Sequence, residues 1–291
     1  IVATAIYPSR VFVIRPDEPD PVVLKGFDDS VNILHVAYEH ERQLVAAAVF
    51  KGAAKHKVIR VWDLDDQTVQ VLGPTDGAGE DYIGGYFGLE FLDDGSLLSA
   101  AQMEGVRRWN LEDGSSELLL AGECGVGVWV GEDSRYAWVG CREEDRTTRV
   151  VLLDLQTREV TELPQYSAFF TPRSGSTRGD VIAVGTVTGD ILVGSPSTVE
   201  PHVLFGHDAG VTNLAFSPDG RFFASGDQTG EIRVWPVPDV SKTPFQSLPD
   251  AELMAKLEAM TNLRAIRDEE SPTGWKIEVG PFPGWAEVPE W

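Results

Sequence analysis

The stretch VIRVWDL at residues 58–64 returns almost unchanged as EIRVWPV at residues 231–237. Both copies alternate apolar and polar side chains, the period of a β-strand, and both run into turn-forming residues. Two explanations compete: chance reuse of a good strand, or one structural unit made several times. Runs of the same kind, RVFVIRP, GVRRWNL, RVVLLDL and DILVGSP, occur elsewhere in the chain. The position matching the tryptophan falls at Ile14, Trp62, Trp109, Leu153, Gly194 and Trp235, 41 to 48 residues apart. Chance does not space six such runs this evenly, so the chain reads as a serial array.

Each unit keeps one internal order. An alternating strand is followed by a tight turn, a second apolar strand, another turn, the strand just quoted, and a more polar fourth strand. In the last clear unit these read VTNLAF, SPDG, RFFASG, DQTG, EIRVW and TPFQSL. The third, fourth and fifth units follow with FGLEFLDDGSLLSA, GVWVGEDSRYAWVG and SAFFTPRSGSTRGDVIAVG, the last with an insertion at residues 174–179 in its first turn. One such sheet cannot bury both its faces alone, but sheets packed face to face cover one another. The pattern predicts an all-β fold, a β-propeller of six or seven four-stranded blades. The units fall at about residues 1–27 (partial), 28–76, 77–120, 121–163, 164–204 and 205–246.

The chain has 291 residues and a formal net charge of -22, a field that repels nucleic acid and anionic membrane surfaces. No apolar run approaches the roughly 18 residues that span a bilayer. Acidic clusters such as Asp63, Asp65 and Asp66, or Asp93 and Asp94, read as solvated turn tips, since no spaced carboxylate ladder of a calcium loop is present. The 2 cysteines, Cys124 and Cys141, flank one hairpin and are expected as buried free thiols, which suits a reducing, cytoplasmic compartment.

The segment GHDAGVTNLAFSPDGRFFASGDQTGEIRVWPV, residues 206–237, resembles a WD40 repeat in its Gly-His opening, its FSPDG turn, its ASG strand and its terminal tryptophan. The resemblance implies a hydrogen-bonded lock in which His207, Ser225 and Trp235 take the histidine, hydroxyl and tryptophan roles. Thr229 stands at the position of the family's aspartate, so the lock is expected to be incomplete. The other units depart further: Gly26-Phe27 replaces Gly-His in the second and Gly194-Ser195 replaces Trp-Asp in the fifth, so those blades are expected to rest on apolar packing. On this reading His207 is a structural residue. The alternative role for His207 is a metal ligand or general base together with His202; His35, His40 and His56 show no metal-ligand spacing, and no metal or cofactor is expected.

Beyond the array comes SLPDAELMAKLEAMTNL, in which Ser247 and Asp250 read as a helix cap and Leu253, Leu257 and Met260 as the apolar stripe of a short helix. LRAIRDEESPTGWKIEVG then reads as a hairpin about a Ser-Pro-Thr-Gly turn, and the tail, residues 247–291, is expected to pack on or close the propeller. Trp275, Phe282, Trp285 and Trp291 make this tail aromatic. The ending resembles the C-terminal end of WD-repeat regions in bacterial multidomain signalling proteins, especially serine/threonine protein kinases. That implies the sensor or scaffold end of a larger protein. The opening on Ile1, with three strands in the first unit, agrees with a chain cut from something longer.

Catalytic signatures do not assemble. GECGVGVWVG at residues 122–131 looks faintly like a kinase glycine loop but lies inside the strand pattern, and no catalytic Asp loop, Asp-Phe-Gly or Gly-x-Ser-x-Gly elbow accompanies it. Two function classes remain. One is a non-catalytic module, a monomeric propeller binding a protein or peptide. The other is a propeller enzyme of the metal-dependent lactonase type, using polar residues such as Asn32 and Asn213 at the pore. WD-repeat relatives being scaffolds, the module is preferred. Its partner is expected at the loops before each first strand and after each second strand, with Tyr82, Tyr86, Trp129 and Tyr166 as aromatic anchors.

Overall fold

A computed structural model describes residues 2–5, 10–15, 18, 20–25, 32–51, 58–73, 86–101, 104–131, 133–144, 147–168, 170–260, 263–268, 270–271 and 273–279. The first sheet holds β1 (Val2–Ala5), β2 (Arg10–Val13) and β3 (Val22–Leu24). The second holds β4 (Asn32–Glu39), β5 (Leu44–Lys51), β6 (Ile59–Asp63) and β7 (Val69–Leu72). The third holds β8 (Tyr86–Phe91), β9 (Leu97–Ala101), β10 (Gly105–Trp109) and β11 (Ser116–Ala121). The fourth holds β12 (Cys124–Val130), β13 (Tyr136–Arg142), β14 (Thr148–Asp154) and β15 (Val160–Ala168). The fifth holds β16 (Phe170–Arg178), β17 (Val181–Thr186), β18 (Ile191–Gly194) and β19 (His202–Leu204), and the sixth β20 (Val211–Phe216), β21 (Phe222–Asp227) and β22 (Ile232–Pro236). Each sheet is an antiparallel meander in chain order, as short connections between successive strands favour.

The cores lie between sheets. Among the described residues five buried clusters form, one for each pair of consecutive sheets. Strand alternation feeds them: in β13, Ala137, Val139 and Cys141 join the cluster shared with the third sheet, while Trp138 points the other way into the cluster shared with the fifth. Ile182 and Val184 face the fourth sheet, and Ala183 between them faces the sixth. Strands contact across neighbouring sheets along the series: β1 with β4, and then first strand with first strand, β4 with β8, β8 with β12, β12 with β16 and β16 with β20. This is a β-propeller, and its stability resides in burial between units rather than within them.

Several expectations need correction. Among the described residues the first sheet has the three strands expected of it and the second to fifth have four, while the sixth has three where four were expected. The expected fourth strand TPFQSL of the last unit is a 3-10 turn at Phe245–Ser247, packed against β19 of the preceding sheet. Pro244, buried and without an N–H, cannot join a ladder from within it. The boundary expected at 163 cuts through β15, and residues 174–178, expected as a turn insertion, are the end of β16 beyond a register shift. Cys124 and Cys141, directly opposite in the β12–β13 ladder, are joined in a disulfide rather than left as thiols, which removes the ground for expecting a reducing compartment.

The tail forms α1 (Asp250–Met260) and a hairpin of β23 (Leu263–Arg267) and β24 (Trp275–Val279), which pair only with each other among the described residues. Ser247 does not cap the helix. Its hydroxyl goes to Glu200, and the first helical amides reach the Pro249 carbonyl, with Asp250 and Glu252 facing the helix dipole in the first turn. Of the expected apolar stripe, Leu253 is half-buried, while the side chains of Leu257 and Met260 lie outside the described residues, as do Phe282, Trp285 and Trp291. Among the described residues no helix is long and apolar enough to cross a membrane.

Candidate functional site

Among the described residues a buried polar constellation that resembles catalytic chemistry lies in the sixth sheet. β21 pairs with β22 so that Ser225 stands opposite Arg233, two residues from Trp235, and the loop entering β20 brings His207 over both. The Ser225 hydroxyl lies 2.6 Å from His207 Nε2 and accepts the Trp235 indole N–H at 2.7 Å. His207 Nδ1 lies 3.1 Å from Asp227 Oδ2. Indole nitrogen can only donate, so one directed chain satisfies every group: Trp235 to Ser225, Ser225 to His207 Nε2, and Nδ1–H to the Asp227 carboxylate.

Asp227 does two jobs. Its Oδ1 closes the DQTG turn by accepting the Thr229 amide at 2.8 Å, the Thr229 hydroxyl at 2.7 Å and the Glu231 amide at 3.0 Å. The Thr229 hydroxyl above all, then the Glu231 and Thr229 amides and His207, hold its carboxyl down to about 2 against the opposing effect of burial. The expected gap in the lock is therefore filled. The carboxylate comes from Asp227, two residues before Thr229, and Thr229 serves by supporting it.

The lock is not a metal site. His207, Asp227 and Glu231 bring ligand atoms within 4.8 Å of one another. Both imidazole nitrogens are already bonded, and the His207 and Asp227 side chains have 0% exposure, so no lone pair is presented to an incoming cation. The same sealing keeps the group from any substrate.

Other sheets carry fragments of this arrangement. In the third, Trp109 donates to Ser99 at 2.8 Å, but Ala101 stands where the aspartate would, two residues beyond the serine. In the second, Ala47 occupies the serine position opposite Arg60, and the Trp62 indole reaches the Lys25 carbonyl at 3.3 Å instead. The fifth sheet replaces tryptophan by Gly194. A Cβ there would lie 2.2 Å from the Tyr166 hydroxyl, which donates to the Ser195 carbonyl at 3.0 Å. Tyr166 thus fills from the neighbouring sheet the space that the missing indole leaves.

That finding also corrects the expected partner anchors. Tyr86, Trp129 and Tyr166 are buried, at 2%, 7% and 0% exposure, and cannot be offered to a partner. Tyr86 belongs to the core between the second and third sheets. Trp129 lies against Gly175 of the next sheet, where a Cβ would stand 2.2 Å from the indole, and Trp138 meets Tyr166 edge-on at 5.8 Å. Tyr82 and His56 lie outside the described residues. The glycine-rich stretch at 122–131 contains the largely buried first strand of the fourth sheet, Cys124–Val130; a Cβ on Gly125 would meet the Ala101 carbonyl at 2.4 Å. Asn213 is exposed, and the side chain of Asn32 lies outside the described residues. His35 accepts the Leu89 amide at 3.2 Å, linking the second sheet to the third.

Sequence reasoning did not single out Glu90, on the first strand of the third sheet. Burial pushes its carboxyl up to about 8, and among the described residues it has no hydrogen-bond or ion-pair partner.

Comparison with known proteins agrees with this geometry. Residues 199–236 match the family model described as "WD domain, G-beta repeat". The chain is 26% identical over 160 residues to "WD repeat-containing protein SL1-17" of Schistosoma mansoni, covering 53% of this chain and 52% of that protein. It is 24% identical over 147 residues to "THO complex subunit 3" of Arabidopsis thaliana, covering 50% of this chain and 45% of that protein. A shorter match, 43% identical over 63 residues, joins it to a "66 kDa stress protein" of Physarum polycephalum, covering 21% of this chain and 10% of that one. The chain thus spans about half the length, or less, of the curated relatives it matches. Among solved structures it is similar to the β-propeller domain of Cps50 (Swd1) from Myceliophteria thermophila, with a TM-score of 0.54, 18% identity and coverage of 74% of this chain and 71% of that one. A chain of the mitotic checkpoint complex superposes with a TM-score of 0.55 at 18% identity, covering 69% of this chain and 61% of that one. Residues 199–236 thus match a WD repeat, and the sheets around them form a β-propeller.

Proposed function

We propose that this chain is a non-catalytic interaction module that holds a protein or peptide partner, and that it forms the sensor or scaffold end of a larger signalling protein such as a bacterial serine/threonine kinase. The observation that carries the reading is the sealed lock of His207, Asp227, Ser225 and Trp235. A histidine, a carboxylate and a hydroxyl within hydrogen-bond reach are the parts of a hydrolytic site, yet here they are closed over a tryptophan and spent on rigidity. Such a blade offers a stiff frame whose exposed turns and grooves are free for recognition. The acidic surface favours a partner with basic character over nucleic acid.

The test is a pull-down with the immobilised chain from extracts of the source organism, followed by titration of each purified candidate by calorimetry. A saturable complex with one propeller per partner supports the module. Turnover of lactone or ester substrates that depends on added calcium, with no partner retained, overturns it.

A further inference from the structure

We infer that the groove between the second and third sheets receives a lysine or arginine side chain from an extended segment of the partner. This rests on the interaction-module reading and says where and by what chemistry the module recognises.

Grooves open between neighbouring sheets at the end formed by the turns after first and third strands. Two of them are narrowed by bulky side chains. The groove between the first and second sheets, about 370 Å³, is lined by Val13, Leu24 and Trp62, and that between the fourth and fifth, about 330 Å³, by Tyr136, Trp138 and Leu152. The groove between the second and third sheets is about 940 Å³. At its walls hydroxyl and amide side chains, Thr68, Gln70, Ser115 and Ser116, stand in place of such bulky ones. Its size falls at the upper end of known ligand sites.

The charges in this groove do not cancel. Arg108 is held by Asp94 and by Ser96 at 2.9 Å, and Arg42 by Glu39 and by the Gly95 carbonyl at 3.2 Å. Glu117 pairs with Arg158 of the fourth sheet. Two carboxylates remain without a cationic partner among the described residues. Asp63 accepts the amides of Asp65 and Asp66, and the Glu112 side chain makes no hydrogen bond or ion pair with another described residue. An incoming ammonium or guanidinium supplies the missing countercharge, the hydroxyl and amide walls accept its remaining protons, and the chain's overall charge of -22 steers it in. This end of the sheets is opposite to the loops where the sequence had placed the partner.

The test uses a fluorescent octapeptide of alternating lysine and alanine carrying a photo-crosslinker, beside its glutamate-for-lysine counterpart. Anisotropy gives affinity, and mass spectrometry maps the crosslinks. Glu112→Lys should weaken the lysine peptide about tenfold, whereas Asp180→Lys, the same charge change in the fourth–fifth groove, should change it less than about twofold. Glu112→Gln should give an intermediate loss, with unchanged circular dichroism in all three variants. Crosslinks should fall on β7, β11 and the turn holding Glu112. Equal weakening by the two charge reversals, equal binding of the glutamate peptide, or no crosslink in the groove overturns the proposal. Crosslinks confined to the opposite loops remove the groove while leaving the interaction module standing; the pull-down decides the module independently.

Discussion

Ser225 Oγ sits 2.6 Å from His207 Nε2, joining the loop that enters the sixth sheet to the second strand of that sheet. Because the same oxygen also accepts the Trp235 indole, one hydroxyl satisfies two buried groups. Ser225→Ala orphans both, and each orphaned buried polar group costs roughly 1–3 kcal/mol. Ser99→Ala orphans the Trp109 indole. The Ser225 variant should therefore lose about twice the stability of the Ser99 variant, read from urea-denaturation midpoints at constant slope. Equal losses would show that His207 does not depend on this bond.

Asp227 gives the lock an acid limit. Its folded pKa is depressed to about 2 from 3.8. The folded state binds that proton less readily than the unfolded chain, so the contribution is full above about pH 4 and disappears as pH falls through 2. In Asp227→Asn the difference in melting temperature from the parent should shrink as pH is lowered from 5 to 2. A difference that stays constant across that range would contradict the assignment.

Glu90 has the opposite sign. Its folded pKa is raised from 4.5 to about 8 by burial, so the folded state holds a proton that the unfolded chain releases. Stability is then lost as pH rises from about 4.5 to 8. Glu90→Gln should melt close to the parent at pH 4 and well above it at pH 8, by thermal unfolding monitored through tryptophan fluorescence. A variant that is less stable at both pH values would mean that the carboxylate makes a favourable contact.

The cross-strand disulfide is checked by counting thiols. Protein unfolded without reductant should show no reactive thiol, and after reduction two, from Cys124 and Cys141. With a sequence separation of 17, Cys141→Ala should cost about 3 kcal/mol by loop-closure entropy. Two reactive thiols before reduction would restore the buried pair expected from the sequence.

The repeat was legible because its signal is periodic: turn residues and the Trp-like position recur with each unit, and neither depends on long-range packing. Which side a strand residue faces was not legible. Propeller sheets bury both faces, so alternation separates one core from the next rather than inside from outside. That is why Tyr86, Trp129 and Tyr166 read as surface anchors and proved to be core. Asp227 was missed for a local reason. The DQTG turn holds an aspartate and a threonine two residues apart, and only the folded turn shows which of them reaches back to His207. Gly194 looked like a lost tryptophan because its compensation, Tyr166, comes from a different unit.

The central claim, that successive sheets pack face to face and draw their stability from one another, is tested most directly by a double-mutant cycle across the fourth and fifth sheets. A methyl group added at Gly175 meets the Trp129 indole of the adjacent sheet. Gly175→Ala should destabilise the parent by about 1–3 kcal/mol through overpacking, and should cost almost nothing in a Trp129→Leu background. Strictly additive losses from the two substitutions would show that these sheets do not touch there and would contradict the account.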